Sequence, residues 1–182
     1  MSNQQTIEQI KPLNQKKRQT CGIFSIVNSC RLIIKKSEKE WKNLKLSIIN
    51  FVKKKYRIHH RGLYSYQIEA MLLYTQNYVK TYWNINLDFT VFVLKDELIH
   101  PLLLFNSITK FLKERNRSVL TGLFGSMTHW SCIKNINRKR IYLYDSSGYK
   151  YIVKDKCVAN RSIHNESNVR MGFTVGLSIS KN

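Results

Sequence analysis

The chain is organised around one stretch, Asn14-Gln-Lys-Lys-Arg-Gln-Thr-Cys-Gly-Ile-Phe-Ser-Ile-Val-Asn-Ser-Cys30. A polar, basic approach ends at Cys21, and apolar residues then recur at the spacing of a helix that faces a core. The pattern predicts a helix over about residues 21–36 with Cys21 at its N-terminus. Unpaired amide groups and the positive end of the helix dipole favour an anion there, so a thiol at such a position ionises more easily. Cys21 is therefore a candidate nucleophile.

Two further helices are predicted downstream. Ser37 and Glu40 have the spacing of a capping box, and the segment after them alternates an apolar side with a lysine-rich side. Ser65 opens a third helical pattern, which continues to about residue 82. The lysine-rich side of the second helix is the best local candidate for binding a polyanion, and it consists of Lys42, Lys45, Lys53, Lys54 and Lys55.

From Asn86 the pattern changes to the alternation of β-strands. One strand is predicted near Asn86–Val93 and a helix near 102–115, followed by strands near 118–124, 129–135, 140–144, 149–153 and 173–180. Helices followed by strands predict an α+β fold in which N-terminal helices pack on an antiparallel β-sheet. We expect a single domain over residues 13–182, preceded by a flexible lead-in over residues 1–12.

The charge balance is strongly basic, with 31 Lys and Arg against 11 Asp and Glu and a formal net charge of +20. Such a field attracts polyanions. The N-terminal segment lacks the apolar core of a signal peptide, and no apolar run reaches the length of a membrane span. We therefore expect no transmembrane segment and a cytoplasmic protein as synthesised, with export as an effector without a signal left open.

The four cysteines, at positions 21, 30, 132 and 157, have neither paired spacing nor the Cys/His spacing of a zinc site. The adjacent His59 and His60 have no third ligand nearby in the sequence. We predict free thiols, no metal and no cofactor.

A second chemical element is the segment 125–148, which has the pattern of a β-hairpin with its turn near Ile136–Lys139. A turn centred on Asn137 would place His129 opposite Asp145, and a turn half a residue later would leave the two diagonal. Either arrangement puts a carboxylate beside an imidazole. Cys21, His129 and Asp145 thus have the residue types of a nucleophile, its base and the group that orients the base.

Acyl transfer through a thiolate also needs donors for the negative charge that develops on the carbonyl oxygen. The backbone N–H of Cys21 is one candidate donor. A side-chain amide just upstream would be the second, and we predict Gln15, with Gln19 left open as the alternative.

The motif Gln15-Lys-Lys-Arg-Gln-Thr-Cys21-Gly22 resembles the Gln-x5-Cys signature of papain-like cysteine peptidases, in particular the Gln-x4-(Asp/Glu)-Cys-Gly form of the stand-alone peptidase C39-like family. His129 heading a strand and Asp145 preceding a small-residue turn are similar to that family's His and Asp motifs. The likeness covers about residues 13–155. Thr20 stands where that family usually has an acidic residue, and the segment after residue 155 has no counterpart in the family. The resemblance implies a papain-like fold and thiol hydrolysis.

Together these features predict a hydrolase that cleaves a peptide or isopeptide bond through an acyl-enzyme. Two alternatives stay open at the level of sequence. The same fold could serve a toxin or effector acting as a peptidoglycan amidase, a deamidase or an acyltransferase, or the chain could be a non-catalytic basic module that binds nucleic acid or membrane. The expected partners are a peptide, protein or peptidoglycan substrate and an acidic partner or inhibitor.

Overall fold

The structure is a computed structural model that describes residues 12–13, 20–56, 63–93, 100–158 and 169–180. Within these ranges the chain forms helices and strands in the order α1 (Cys21–Ile33), α2 (Glu38–Lys55), α3 (Ser65–Trp83), β1 (Leu87–Val93), α4 (Pro101–Leu112), β2 (Arg117–Gly125), β3 (His129–Ile136), β4 (Arg140–Leu143), β5 (Tyr151–Val153), β6 (Cys157–Val158) and β7 (Val169–Ile179). The predicted α+β class, with helices packed on a largely antiparallel sheet, is confirmed.

The helices begin where local chemistry starts them. The predicted capping box is present at α2, because the Ser37 hydroxyl accepts from the Glu40 N–H and the Glu40 carboxylate accepts from the Ser37 N–H at 2.9 Å. α1 ends at Ile33 and α4 at Leu112, each about three residues earlier than the sequence predicted. Ile34 is already in extended backbone conformation, so the apolar pattern outlasts the helix.

α1 is more deeply buried than a one-sided apolar stripe predicts. Every residue of this helix except Leu32 is buried, because α1 lies between the sheet and the other two N-terminal helices. Some of its polar side chains have specific hydrogen-bond partners. Asn28 is fully buried, and its side-chain oxygen accepts from the Leu13 N–H at 2.9 Å, which fastens Leu13 to α1.

The strands form a sheet of order β1-β7-β2-β3-β4-β5 in which all these neighbours are antiparallel, while β6 pairs with β7 in parallel. β7 is therefore an interior strand between β1 and β2, although the resemblance offered no counterpart for this part of the chain. Neighbouring residues of β2 point to opposite faces, Leu120 into the core beneath α1–α3 and Val119 into the core beneath α4. The sheet separates two apolar cores.

A β-bulge sets the register between β3 and β4. Ile136 pairs with Ile141 next to the turn, but Ile133 already pairs with Leu143, so Lys134 is an extra residue in β3. The Tyr144 N–H donates to the Cys132 carbonyl at 2.8 Å, which continues this shifted register past the end of β4. The turn is thus centred later than Asn137, and the predicted direct pairing of His129 with Asp145 is wrong.

Trp130, the second residue of β3, fastens the sheet to the helices. Its indole Nε1–H donates to the Leu63 carbonyl at 2.9 Å, and its own carbonyl accepts from the Ser25 hydroxyl at 2.6 Å. α1 approaches closely because Gly22 has no side chain, since a Cβ there would lie 2.5 Å from the Ile68 side chain. The start of β3 is therefore held against the first turn of α1.

Among the described residues, no helix is both long and apolar enough to cross a lipid bilayer. His59 and His60 lie outside the described residues.

We expect Ser25→Ala to lower the free energy of unfolding by about 1–2 kcal/mol, because it leaves the buried Trp130 carbonyl without its donor. Urea denaturation followed by circular dichroism measures the change. The matched control is Thr109→Ala, which removes a hydroxyl that bonds only the Phe105 carbonyl of its own helix. Equal losses in both variants would contradict the role of Ser25 as a tether between helix and sheet.

Candidate functional site

Cys21 is the first residue of α1, and 5% of its surface is exposed. The Thr20 side chain does not cap the helix, and the first N–H groups of a helix have no intrahelical partners. Ser25 lies one turn below and donates to the Cys21 carbonyl at 2.8 Å as well as to the Trp130 carbonyl. One hydroxyl therefore contacts both the residue that carries the thiol and the residue next to His129.

His129 and Asp145 are in direct contact. The imidazole Nε2 lies 2.7 Å from the Asp145 Oδ2, and both side chains are buried. The Cys21 side chain is among the groups that raise the pKa of this ring, so it lies next to the imidazole. Because Asp145 occupies Nε2, Nδ1 is the ring nitrogen left for the thiol. The structure thus brings together the three residues that the sequence predicted.

The Asp145 carboxylate accepts hydrogen bonds from several sides. The Ser131 hydroxyl donates to Oδ2 at 2.6 Å, and the backbone N–H groups of Ser147 and Tyr149 donate to Oδ1 at 2.7 and 3.4 Å. The Tyr149 ring also lies edge-on to His129, with 5.5 Å between the ring centroids. Asp145 is held in place whether or not His129 carries a charge.

The shifted register accounts for this arrangement. Continued past Leu143, it places Ser131 opposite Asp145, and His129 lies two residues further along β3 on the same face. A ladder without the extra residue would place Asp145 opposite Cys132 and point its carboxylate to the other face. The prediction that His129 and Asp145 would be neighbours is therefore met through a diagonal contact, with Ser131 as the residue directly opposite.

Charge and burial act against each other at the pair. Burial by itself would lower the pKa of His129, but hydrogen bonds and charge from Asp145 and Cys21 outweigh it and raise the pKa to about 9. Burial would likewise raise the pKa of Asp145, but the hydrogen bonds from His129 and Ser131 hold it below its usual range. The pair therefore favours an imidazolium beside a carboxylate.

The other three cysteines are in a different environment. Cys30 and Cys132 are fully buried, and burial raises the pKa of each thiol to about 12. Burial also raises the pKa of Cys157 to about 12. All four cysteines are free, as predicted. Cys21 differs from the other three by its position at a helix N-terminus and its contact with His129.

Some predicted elements of the site cannot be assigned positions. Gln15 and Gln19, the two candidates for the oxyanion donor, lie outside the described residues. Sequence reasoning missed Ser131, Tyr149 and Ser25. Ser131 could have been found, because its position two residues after His129 puts both side chains on one face of a strand.

Within the described ranges, no group of three or more His, Cys, Asp or Glu side chains lies close enough together to hold a metal ion. Comparisons of the chain with protein-family models, with curated proteins and with solved structures find no match. The geometry of the site is thus the basis for a functional proposal.

We expect the His129 ring to titrate near pH 9, measured by NMR of its imidazole signals. The contribution of the charged ring to the free energy of unfolding is then fully present below about pH 6.5 and is lost as the pH rises through about 9. Asp145→Asn removes the carboxylate that raises the pKa of His129, so the pKa of His129 should fall by at least about one unit. An unchanged pKa in this variant would contradict the assigned cause.

We also expect iodoacetamide at neutral pH to modify Cys21 before the other cysteines. Protonation keeps the buried thiols of Cys30, Cys132 and Cys157 unreactive at this pH. Peptide mapping by mass spectrometry gives the order of modification. His129→Ala is the control, because it removes the imidazolium while leaving the Cys21 thiol in the helix. Modification of all four cysteines at one rate would contradict the expected difference.

Proposed function

We propose that the chain is a thiol hydrolase that cleaves a peptide or isopeptide bond with Cys21 as nucleophile, His129 as base and acid, and Asp145 as the orienting carboxylate. One observation carries the proposal: the His129 Nε2 lies 2.7 Å from the Asp145 Oδ2, while the Cys21 side chain is close enough to the same ring to raise its pKa. A thiol, an imidazole and a carboxylate in this sequence of contacts are the parts of a nucleophilic triad.

The first step follows from these contacts. The Cys21 sulfur attacks the carbonyl carbon of the scissile amide, and the thiol proton resides on the His129 Nδ1. Asp145 keeps Nε2 hydrogen-bonded, so the ring is held with Nδ1 towards the sulfur. The raised pKa of His129 means that the proton is retained at neutral pH and is available for the leaving amine.

The second step returns the enzyme to its starting state. When the C–N bond breaks, Nδ1 gives its proton to the departing amine and Cys21 remains as a thioester. Nδ1 then accepts a proton from a water molecule that attacks the thioester carbonyl. The carboxylic acid leaves, and the sulfur and imidazole regain the proton with which they began.

Negative charge on the carbonyl oxygen needs donors in both steps. The N–H of Cys21 begins α1, where backbone donors lack intrahelical acceptors and the helix dipole is positive. Gln15 as the second donor remains a prediction.

The papain-like arrangement is part of the same proposal. Support comes from the elements that carry the three residues. The proposed nucleophile begins a buried helix, and the proposed base and its carboxylate belong to an antiparallel hairpin. The contact of the Ser25 hydroxyl with the Trp130 carbonyl keeps the helix and the hairpin in register.

The test is cleavage of a library of proteome-derived peptides, with the new termini identified by mass spectrometry. We expect Cys21→Ala to abolish cleavage and to accumulate no thioester. Asp145→Asn should reduce kcat by about a thousandfold, because the ring loses its orienting partner. Ser131→Ala should reduce kcat by about tenfold and raise the pKa of Asp145, since the carboxylate loses one donor.

The control for general damage is Cys157→Ser, which changes a thiol outside the site and should leave the rate unchanged. Cleavage that survives Cys21→Ala would contradict the proposal. Release of fragments from purified peptidoglycan, without cleavage of peptides, would instead favour the amidase alternative.

A further inference from the structure

The outer face of the β4–β5 pair carries aromatic and cationic side chains. Arg140 pairs with Val153 and Tyr142 with Tyr151 across the two strands, so these four side chains share one face. The Arg140 guanidinium lies 4.1 Å from the centre of the Tyr151 ring, and the Tyr142 and Tyr151 rings are 6.3 Å apart. Tyr151 is 43% exposed and Val153 37%. We call these four residues the β5 surface.

A cationic cleft continues the β5 surface at the turn between β3 and β4. It encloses about 340 Å³ and is lined by Asn137, Arg138, Lys139, Arg140 and Tyr142. Asn137 shapes the turn, because its side-chain oxygen accepts from the N–H groups of Lys139 and Arg140 at 2.9 and 2.8 Å. The Arg138 and Lys139 side chains are exposed, so the cleft offers positive charge to a ligand from solution.

The net charge of this region is positive. Residues 129–158 contain seven Lys and Arg against two Asp, and one of the two is the buried Asp145. Asp155 is the remaining carboxylate of this segment, and it is exposed. An exposed aromatic surface in a field of this sign is complementary to an acidic partner.

β5 also lies at an edge of the sheet. Among the described strands it pairs with β4 alone, so its other side presents backbone N–H and C=O groups. One end of β5 borders the candidate site, because the Tyr149 ring contacts His129. The other end reaches the cationic cleft, where the Lys154 N–H donates to the Lys139 carbonyl at 2.9 Å. β5 thus runs from the candidate site to the cationic cleft.

We propose that an acidic polypeptide segment docks in extended conformation along β5, with its backbone on the open edge and its carboxylates at the cleft of Arg138, Lys139 and Arg140. If the proposed function holds, this segment belongs to the substrate. Four residues of strand span about 13 Å, so the acidic side chains would lie about four to six residues from the scissile bond. An open strand edge recognises a polypeptide backbone, which a nucleic acid lacks.

The experiment measures binding by fluorescence anisotropy, using the full chain with Cys21→Ala so that no cleavage occurs. The probe is a fluorescein-labelled peptide with a run of glutamates, compared with the same peptide carrying glutamines and with a single-stranded oligonucleotide of equal charge. The ionic strength is about 0.15 M, which screens exposed charges beyond about 8 Å.

The test variant is Arg138→Gln with Lys139→Gln. Its matched control is Lys53→Gln with Lys54→Gln, which removes the same charge from exposed positions on α2. We expect the first pair to raise the Kd for the glutamate peptide about tenfold and the second to change it less than about twofold. Tyr151→Ser should weaken binding as well, because the ring supports Arg140.

Equal effects of the two charge pairs would overturn the proposal, since binding would then follow the total charge of +20. Tighter binding of the oligonucleotide, with the same dependence on Arg138 and Lys139, would overturn it in favour of a nucleic acid. These measurements do not use catalysis. Loss of the proposed function in the cleavage experiment is therefore distinguishable from loss of this docking surface.

Discussion

The register of the β3–β4 pair is the constraint on which the candidate site depends. Lys134 is the extra residue that lets Ile133 and Ile136 both face the core beneath α4, although three positions separate them. The same shift puts Asp145 on the face that carries His129 and Ser131, where its carboxylate meets both side chains. The bulge at Lys134 thus allows two things at once: the isoleucines near the turn pack into the core, and Asp145 at the other end of the hairpin contacts His129.

A second requirement is that the helix carrying the thiol stays in contact with the strand carrying the imidazole. Trp130 meets it from the position next to His129, since its indole binds the Leu63 carbonyl and its own carbonyl binds Ser25. Gly22 permits the close approach of α1 to α3. Gly22 and Ser25 are therefore small for reasons of packing, and the position of Cys21 follows from contacts made by its neighbours.

Helix starts and strand patterns, which depend on residues close together in the sequence, were predicted well. The capping box at Ser37, the helix beginning at Ser65 and the alternation of β1 follow from local pattern, and the structure contains them. The register of the hairpin was wrong because a bulge leaves only a weak trace, here two polar residues between Ile133 and Ile136. The order of strands is set by packing between distant segments, so the place of β7 between β1 and β2 could not be predicted from its own residues.

The position of β7 has a consequence for how the chain is made. Every side chain placed in the candidate site lies before residue 150, yet among the described strands β1 pairs with β7 alone, and β7 ends at Ile179. During synthesis the helices can form early, but β1 and β2 cannot be bridged until the last strand leaves the ribosome. Pairing over such sequence distances raises the contact order and slows folding. Until β7 pairs, the apolar surfaces of α1 and of the first strands stay exposed on the nascent chain, and in this interval the chain is most prone to aggregation and most accessible to a chaperone.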